Sequence, residues 1–121
     1  MADKSTEKFF REMNVAFVIG DVDFLSRHIA DDVVWALDGR DKIEGKQAFL
    51  AHVKEMDVTD DVKLTIDHIA TNGLESAVTG KMTVTHNGGS SETYSYRDVY
   101  QVDPKDDRLI KSLASEINTL S

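Results

Sequence analysis

The sequence predicts an α+β domain in which helices come first and an antiparallel sheet follows. Three observations support this prediction. Apolar residues recur at helical spacing in the first half of the chain, apolar and polar residues alternate in the second half, and glycine-containing turns separate the alternating segments. The chain has 121 residues, which is the length of one domain, and no repeat or linker divides it. We therefore expect a single domain over residues 1–121.

Two helices are predicted at the start. In residues 5–19 the apolar side chains fall on one broad face. Gly20 ends this helix, because glycine tolerates the left-handed conformation that follows many helices. Asp21 is a good N-cap for a second helix that reaches about His28.

A short strand, a loop and a third helix come next. Residues 33–37 are rich in β-branched and aromatic side chains and predict a strand, and residues 39–45 predict a polar loop. A third helix is predicted over residues 46–56. Its apolar side holds Ala48, Phe49, His52, Val53 and Met56.

Strict alternation begins after this helix and predicts four long strands. In the first of them one face holds Val62, Leu64, Ile66, His68 and Ala70. Asn72-Gly73 predicts a hairpin to a return strand that ends near residue 86. A turn at Asn87-Gly88-Gly89 leads to strands over residues 92–103 and 108–118.

Charge and composition exclude several function classes. The chain has 14 Lys and Arg against 22 Asp and Glu, a net charge of −8, which repels nucleic acid and anionic lipid, so neither is predicted as a partner. It has no cysteine, no phosphate-binding loop and no bilayer-length apolar run, and its four histidines lack metal-ligand spacing. We expect a cytoplasmic protein without a cofactor or a metal.

One carboxyl group lies among three phenols. Alternation places Tyr94, Tyr96, Asp98 and Tyr100 on the same face of one strand. If this face lies toward the helices, burial raises the pKa of Asp98, which then serves as an acid or a hydrogen-bond donor. If the face is exposed, Asp98 is a solvated charge. Periodicity alone leaves both interpretations open.

Other side chains are either pocket walls or plain core. Trp35 and Leu37 share a face of the first strand, His52 flanks the apolar side of the third helix, and His68 shares a face with apolar residues. Phe17 and Met82 are expected close to Trp35. A lone tryptophan in a small domain is more often core than pocket wall.

Several short segments resemble a known superfamily. They are Phe-Val-Ile-Gly-Asp-Val-Asp-Phe-Leu at 17–25, Ala-Asp-Asp-Val-Val-Trp at 30–35, Ile-Glu-Gly-Lys at 43–46, Arg-Asp-Val-Tyr at 97–100 and Arg-Leu-Ile at 108–110. Their order and spacing resemble the nuclear transport factor 2-like superfamily, and more narrowly its SnoaL-like polyketide cyclase and ketosteroid isomerase branch. The resemblance implies a cone-shaped α+β barrel, with three N-terminal helices packed on a strongly curved, mainly antiparallel sheet. It also implies a pocket inside the cone and pairing of two copies through their sheets.

The resemblance also bears on activity. Asp98 falls where ketosteroid isomerases place the aspartic acid that hydrogen-bonds the substrate oxyanion. Met13 and Leu37 stand where those isomerases have the oxyanion tyrosine and the general base, so an isomerase with the full set is not expected. One fold of this kind hosts many functions.

The predicted function is therefore that of a homodimeric small-molecule-binding protein. Its apolar cone pocket holds an oxygen-bearing apolar compound, with isomerase- or cyclase-type acid/base chemistry at Asp98. The predicted ligand-binding residues are Phe17, Trp35, Leu37, His52, His68, Met82, Tyr94, Tyr96 and Tyr100. The alternative is a non-catalytic binding or dimerisation module of the same fold.

Overall fold

The computed structural model describes residues 4–38, 41–55, 61–86 and 88–120 of the protein. Its helices are α1 (Lys4–Ile19), α2 (Val22–His28) and α3 (Lys46–Glu55). The predicted helices are thus confirmed. Met56, Gly39 and Asn87, which are predicted to lie in a helix, a loop and a turn, are outside the described residues.

The junction between α1 and α2 follows the predicted local chemistry. Gly20 has a φ of +72°, in the left-handed region. The Asp21 carboxylate caps α2 by accepting a hydrogen bond from the Phe24 backbone nitrogen at 3.1 Å. Two helices therefore meet across a single tight turn.

In the part of the chain that the structure describes, six strands form one curved, mixed sheet. They are β1 (Ile29–Leu37), β2 (Asp41–Glu44), β3 (Asp61–Asn72), β4 (Glu75–Thr85), β5 (Ser91–Asp103) and β6 (Asp106–Thr119). Their order in the sheet is β2-β1-β6-β5-β4-β3. All neighbours are antiparallel except β1 and β6, which are parallel. The three helices pack on this sheet, which is the predicted cone-shaped α+β arrangement.

One predicted loop is a strand, and one predicted hairpin is confirmed with its turn shifted by one residue. Residues 41–44 form strand β2 instead of a loop, and Ile43 lies opposite Trp35 of β1. This strand has only one apolar residue and a single neighbour, so it carries no alternation that could mark it. The hairpin after β3 is present, but its two-residue loop is Gly73 and Leu74, since Asn72 pairs with Glu75.

A β-bulge changes the faces of β3. Ile66 lies opposite Gly80 and His68 lies opposite Thr79, so Asp67 is an extra residue in this strand. Beyond it the alternation is inverted, and Ile69 packs on the core while His68 is exposed. The prediction that His68 shares a face with Val62, Leu64 and Ile66 is therefore wrong.

The core lies between the helices and the concave face of the sheet. From α1 it takes Phe9, Phe10, Met13 and Ala16, and from α3 it takes Phe49 and Val53. Ala48 is exposed, contrary to the prediction, because only the narrower Phe49 face of α3 is covered. Within the described residues, no helix is long and apolar enough to cross a membrane.

Candidate functional site

A cavity of about 480 Å³ lies between α1, α3 and the concave face of the sheet. Its lining is mainly apolar, with a few polar groups from α1, α3, β5 and β6. The lining residues are Asn14, Phe17, Val18, Trp35, Leu37, His52, Val62, Leu64, Met82, Val84, Tyr96, Asp98, Ser115 and Ile117. We call the part lined by Asn14, Tyr96 and Asp98 the polar floor.

Three buried side chains form a hydrogen-bonded chain beneath the cavity. The Tyr100 hydroxyl donates to the Asn14 carbonyl oxygen at 2.6 Å, and the Asn14 amide nitrogen donates to the Tyr96 hydroxyl at 3.0 Å. Asn14 is 2% exposed and Tyr100 is fully buried. Because Asn14 lies on α1 and both tyrosines lie on β5, these bonds join the first helix to the sheet.

A glycine makes room for the Tyr96 ring. Gly80 of β4 lies directly opposite Tyr96 in the sheet. A Cβ atom at position 80 would lie 2.7 Å from the Tyr96 hydroxyl and 2.0 Å from the Thr65 carbonyl oxygen. A side chain at position 80 is therefore incompatible with this placement of Tyr96.

Burial controls the protonation of the polar floor. It raises the pKa of Asp98 to about 6, although a hydrogen bond from Ser115 partly opposes the rise. Asp98 retains some accessible surface, but this surface lines a mainly apolar cavity. Burial also raises the pKa of Tyr96 to about 12 and raises the pKa of Tyr100 well above its ordinary value. At neutral pH both tyrosines are neutral phenols, and Asp98 is mainly ionised but retains a minor protonated fraction.

Ser115 links Asp98 to the aromatic wall of the cavity. It lies opposite Asp98 in the sheet, and its hydroxyl accepts a hydrogen bond from the Trp35 indole nitrogen at 3.0 Å. Since the indole only donates, the Ser115 proton is free to be donated to Asp98. The Trp35 side chain thus helps to orient the Ser115 hydroxyl beside the carboxyl group.

The aromatic wall is packed closely around Trp35. Its ring centroid lies 4.7 Å from that of Phe49, 5.3 Å from that of Phe17 and 5.2 Å from that of His52, the last at nearly a right angle. Trp35 is 3% exposed and belongs to the core, yet it also lines the cavity. Trp35 is therefore a core residue that also borders the cavity, and its role in binding a ligand stays a prediction.

The structure brings together most of the side chains singled out from the sequence. Those that line the cavity are Phe17, Trp35, Leu37, His52, Met82, Tyr96 and Asp98. Tyr100 lies beneath the floor and is hydrogen-bonded to it through Asn14. Tyr94 donates to Glu92 outside the lining, and His68 is exposed beyond the bulge.

Two polar residues of the lining were missed by the sequence analysis. Asn14 lies on the apolar side of α1, next to Met13, where a polar residue interrupts the pattern. This interruption is a detectable signal. Ser115 lies on β6, and only its register with Asp98 shows its importance, which a single sequence does not supply.

The arrangement favours acid/base or hydrogen-bonding chemistry. It offers one carboxyl group and one neutral phenol in an apolar enclosure, where polar contacts are stronger than in water. Among the described residues, no group of three or more His, Cys, Asp or Glu side chains is placed to hold a metal ion.

Comparison with solved structures defines the class of the fold. An NTF2-like protein of unknown function from Cytophaga hutchinsonii is similar over 93% of this chain and 99% of its own, with 21% identity and a TM-score of 0.74. An LEH-like epoxide hydrolase from M. tuberculosis is similar over 93% and 82%, with 17% identity and a TM-score of 0.75. The fold is therefore NTF2-like.

Family comparison narrows the class. The SnoaL-like domain family model matches residues 7–112, so the chain belongs to this family. A protein described as a SnoaL-like polyketide cyclase, from Shewanella denitrificans, is similar in structure over 96% of this chain and 92% of its own, with 13% identity and a TM-score of 0.82. The chain matches no curated protein sequence.

Proposed function

We propose that the protein binds a small apolar compound that carries at least one oxygen, and that Asp98 exchanges protons with this compound. The observation that carries the proposal is the cavity of about 480 Å³, whose mainly apolar lining surrounds a polar floor. Ligand sites of this kind usually measure roughly 300–1,000 Å³ and combine apolar walls with a few polar groups. Proteins of the same fold include one named as an LEH-like epoxide hydrolase and one named as a SnoaL-like polyketide cyclase.

The protonation states of the floor support acid/base chemistry. A group that both accepts and donates protons works best when its pKa lies near the operating pH. Asp98, with a pKa of about 6, meets this condition. Tyr96, with a pKa of about 12, stays protonated and is able to donate a hydrogen bond to a ligand oxygen as charge develops there.

The proposal is tested with 2-acetylnaphthalene, an apolar ketone that the cavity is large enough to hold. Calorimetry measures its binding, and NMR in heavy water follows the exchange of its methyl protons for deuterium at pH 7. In the proposed reaction Asp98 removes a proton from the methyl carbon and returns a deuteron taken from solvent. We expect the wild-type protein to bind the ketone and accelerate exchange, and Asp98→Asn to bind it without acceleration.

A non-catalytic binding module is the second candidate. It is favoured by one observation: Asp98 is the single carboxyl group in the described lining, so a second carboxylate base is missing there. Binding with equal exchange rates in wild type and Asp98→Asn would support this candidate. Failure of the wild-type protein to bind the ketone would refute small-molecule binding of this class.

We also propose that two copies pair through the convex face of the sheet. This face mixes charged, polar and apolar side chains, among them Lys81, Arg97 and the half-buried Val99. Sedimentation equilibrium at micromolar concentration is expected to show a dimer, which Arg97→Glu weakens and Arg27→Glu, on α2, does not. A single-chain mass for the wild-type protein would refute the pairing.

Charge bears on the other partners that the protein could have. The net charge of −8 supports a protein that binds neither nucleic acid nor membrane surfaces, and a cytoplasmic location stays a prediction.

A further inference from the structure

The chain of hydrogen bonds from Tyr100 through Asn14 to Tyr96 has a definite direction. A phenol hydroxyl donates one hydrogen bond, and leaving that proton unpaired in a buried site is costly. Tyr100 is fully buried, and its hydroxyl lies 2.6 Å from the Asn14 side-chain oxygen. The Tyr100 proton therefore fixes which end of the Asn14 amide faces Tyr100, because the amide nitrogen could not accept it.

The orientation of Asn14 then determines the role of Tyr96. The amide nitrogen of Asn14 faces the Tyr96 hydroxyl at 3.0 Å, and an amide nitrogen only donates. The Tyr96 oxygen is thus an acceptor in this contact, and its own proton must be donated elsewhere. If the amide were reversed, Tyr96 would donate to Asn14 and offer only a lone pair to the cavity.

Among the described residues, the Tyr96 proton has only a poor acceptor. The Thr65 carbonyl oxygen lies 3.4 Å away, at the long limit for a hydrogen bond between oxygens. Tyr96 lines the cavity, so a ligand oxygen at a normal distance of about 2.7–2.8 Å would be a better acceptor. A ligand group that only donates, such as an N–H, would meet an oxygen already occupied by Asn14.

We infer that the polar floor selects a ligand with a hydrogen-bond acceptor, such as a ketone or ether oxygen, which binds to the Tyr96 hydroxyl. Asn14 and Tyr100 are positioning residues that direct the Tyr96 proton toward this ligand oxygen. The inference rests on the proposed function and deepens it, since it names the polar group of the ligand. Tyr100 acts without touching the cavity.

Two probes of the same shape isolate this contact. They are 2-acetylnaphthalene, which has a carbonyl oxygen, and 2-isopropenylnaphthalene, in which a CH₂ group replaces that oxygen. The dissociation constant of the alkene divided by that of the ketone measures the preference for the ketone, and this preference reports the hydrogen bond. The infrared stretching frequency of the bound carbonyl falls when the carbonyl accepts a hydrogen bond. A net contribution typical of one hydrogen bond corresponds to a ratio that is higher by about 5- to 10-fold in the wild-type protein than in Tyr96→Phe.

The decisive variant is Tyr100→Phe, which removes the proton that orients Asn14. We expect it to lower the preference for the ketone several-fold and to raise the carbonyl frequency toward that of Tyr96→Phe. The matched control is Tyr94→Phe, on the same strand, whose hydroxyl donates to Glu92 outside the cavity. It should leave both the preference and the frequency unchanged.

A second variant covers the case in which Tyr100→Phe does not fold. In Asn14→Asp, the ionised carboxylate accepts hydrogen bonds from both tyrosines and so draws the Tyr96 proton away from the cavity. The protonated carboxylic acid, which prevails at lower pH, is able to donate a hydrogen bond to Tyr96 as Asn14 does. The ketone preference of this variant should therefore fall as the pH rises. A preference that is constant with pH would count against the inference.

The outcomes separate the two claims. If the wild-type protein binds both probes equally, or if Tyr100→Phe keeps the full preference and frequency, the positioning role is overturned while small-molecule binding stands. If the wild-type protein binds neither probe, the proposed function is refuted and this inference with it.

Discussion

Replacing Asp98 by asparagine should stabilise the folded protein at high pH and leave it nearly unchanged at low pH. The folded state holds the Asp98 proton up to about pH 6, because burial disfavours the carboxylate, whereas an unfolded chain releases it near pH 3.8. Between these values the folded state binds more protons than the unfolded state. The free energy of unfolding of the wild-type protein therefore falls as the pH rises through this window.

The size of the effect follows from the two pKa values. A rise from 3.8 to about 6 corresponds to about 3 kcal/mol of folding free energy. Asparagine carries no charge to bury and keeps an oxygen that accepts from Ser115. We therefore expect Asp98→Asn to gain up to about 3 kcal/mol relative to wild type above pH 7, and almost nothing below pH 4.

Urea denaturation of both proteins at several values between pH 3.5 and 8 measures this difference directly. Asp32→Asn is a control of opposite sign. The Asp32 carboxylate is exposed, and Lys111 binds it at 2.8 Å and lowers its pKa. Asp32 thus contributes stability above its unfolded pKa, and this contribution is lost as the pH falls.

The reasoning about Asp98 would be refuted by a difference that does not vary with pH. It would also be refuted if the wild-type protein gained stability over Asp98→Asn as the pH rose, since that would mean a carboxylate stabilised in the folded state. Either result would remove the basis for assigning acid/base chemistry to this residue.

Three further predictions concern stability and are read by urea or thermal unfolding. Trp35→Ala should cost about 3–5 kcal/mol, because it removes a large side chain that is 3% exposed and packed among three rings, and a loss below about 1 kcal/mol would contradict that packing. Gly80→Ala should cost about 1–3 kcal/mol or more, because its methyl group would overlap the Tyr96 hydroxyl and the Thr65 carbonyl, and wild-type stability would show that this rung of the sheet is more open than described. Asp21→Ala should cost about 1 kcal/mol through loss of the α2 cap, and Asp21→Asn, which keeps the capping oxygen, should cost much less.

The fold was largely predictable because its signals are local. Periodicity and capping residues define the three helices, and alternation with glycine turns defines the long strands. The bulge at Asp67 was missed although the sequence carries a trace of it: core-facing apolar residues are two apart up to Ile66, and the next one, Ile69, is three residues further on. One such change of phase in a single sequence does not by itself identify a bulge. Strand β2 was missed because its four residues lack a pattern of their own.

Only the part of the candidate site that lies on a single strand was predictable. Tyr96 and Asp98 share a face through the two-residue period of β5, so their proximity is readable from the sequence. Asn14 and Ser115 reach the same site from α1 and β6, and a single sequence does not give the register between distant elements. The raised pKa of Asp98 depends on that assembled enclosure.

The contacts that complete the site join distant parts of the chain, which has a consequence for the order of folding. Trp35 and Ser115 are 80 residues apart, and Asn14 and Tyr100 are 86 apart. The β3-β4 and β4-β5 hairpins, by contrast, close over short turns, and loops of that kind form within microseconds. Distant pairings are slower, because a large loop must close before any contact compensates for the lost entropy. The parallel pairing of β1 with β6 should therefore be a late event in refolding, and the Trp35 fluorescence change should lag behind the appearance of β-structure in stopped-flow measurements.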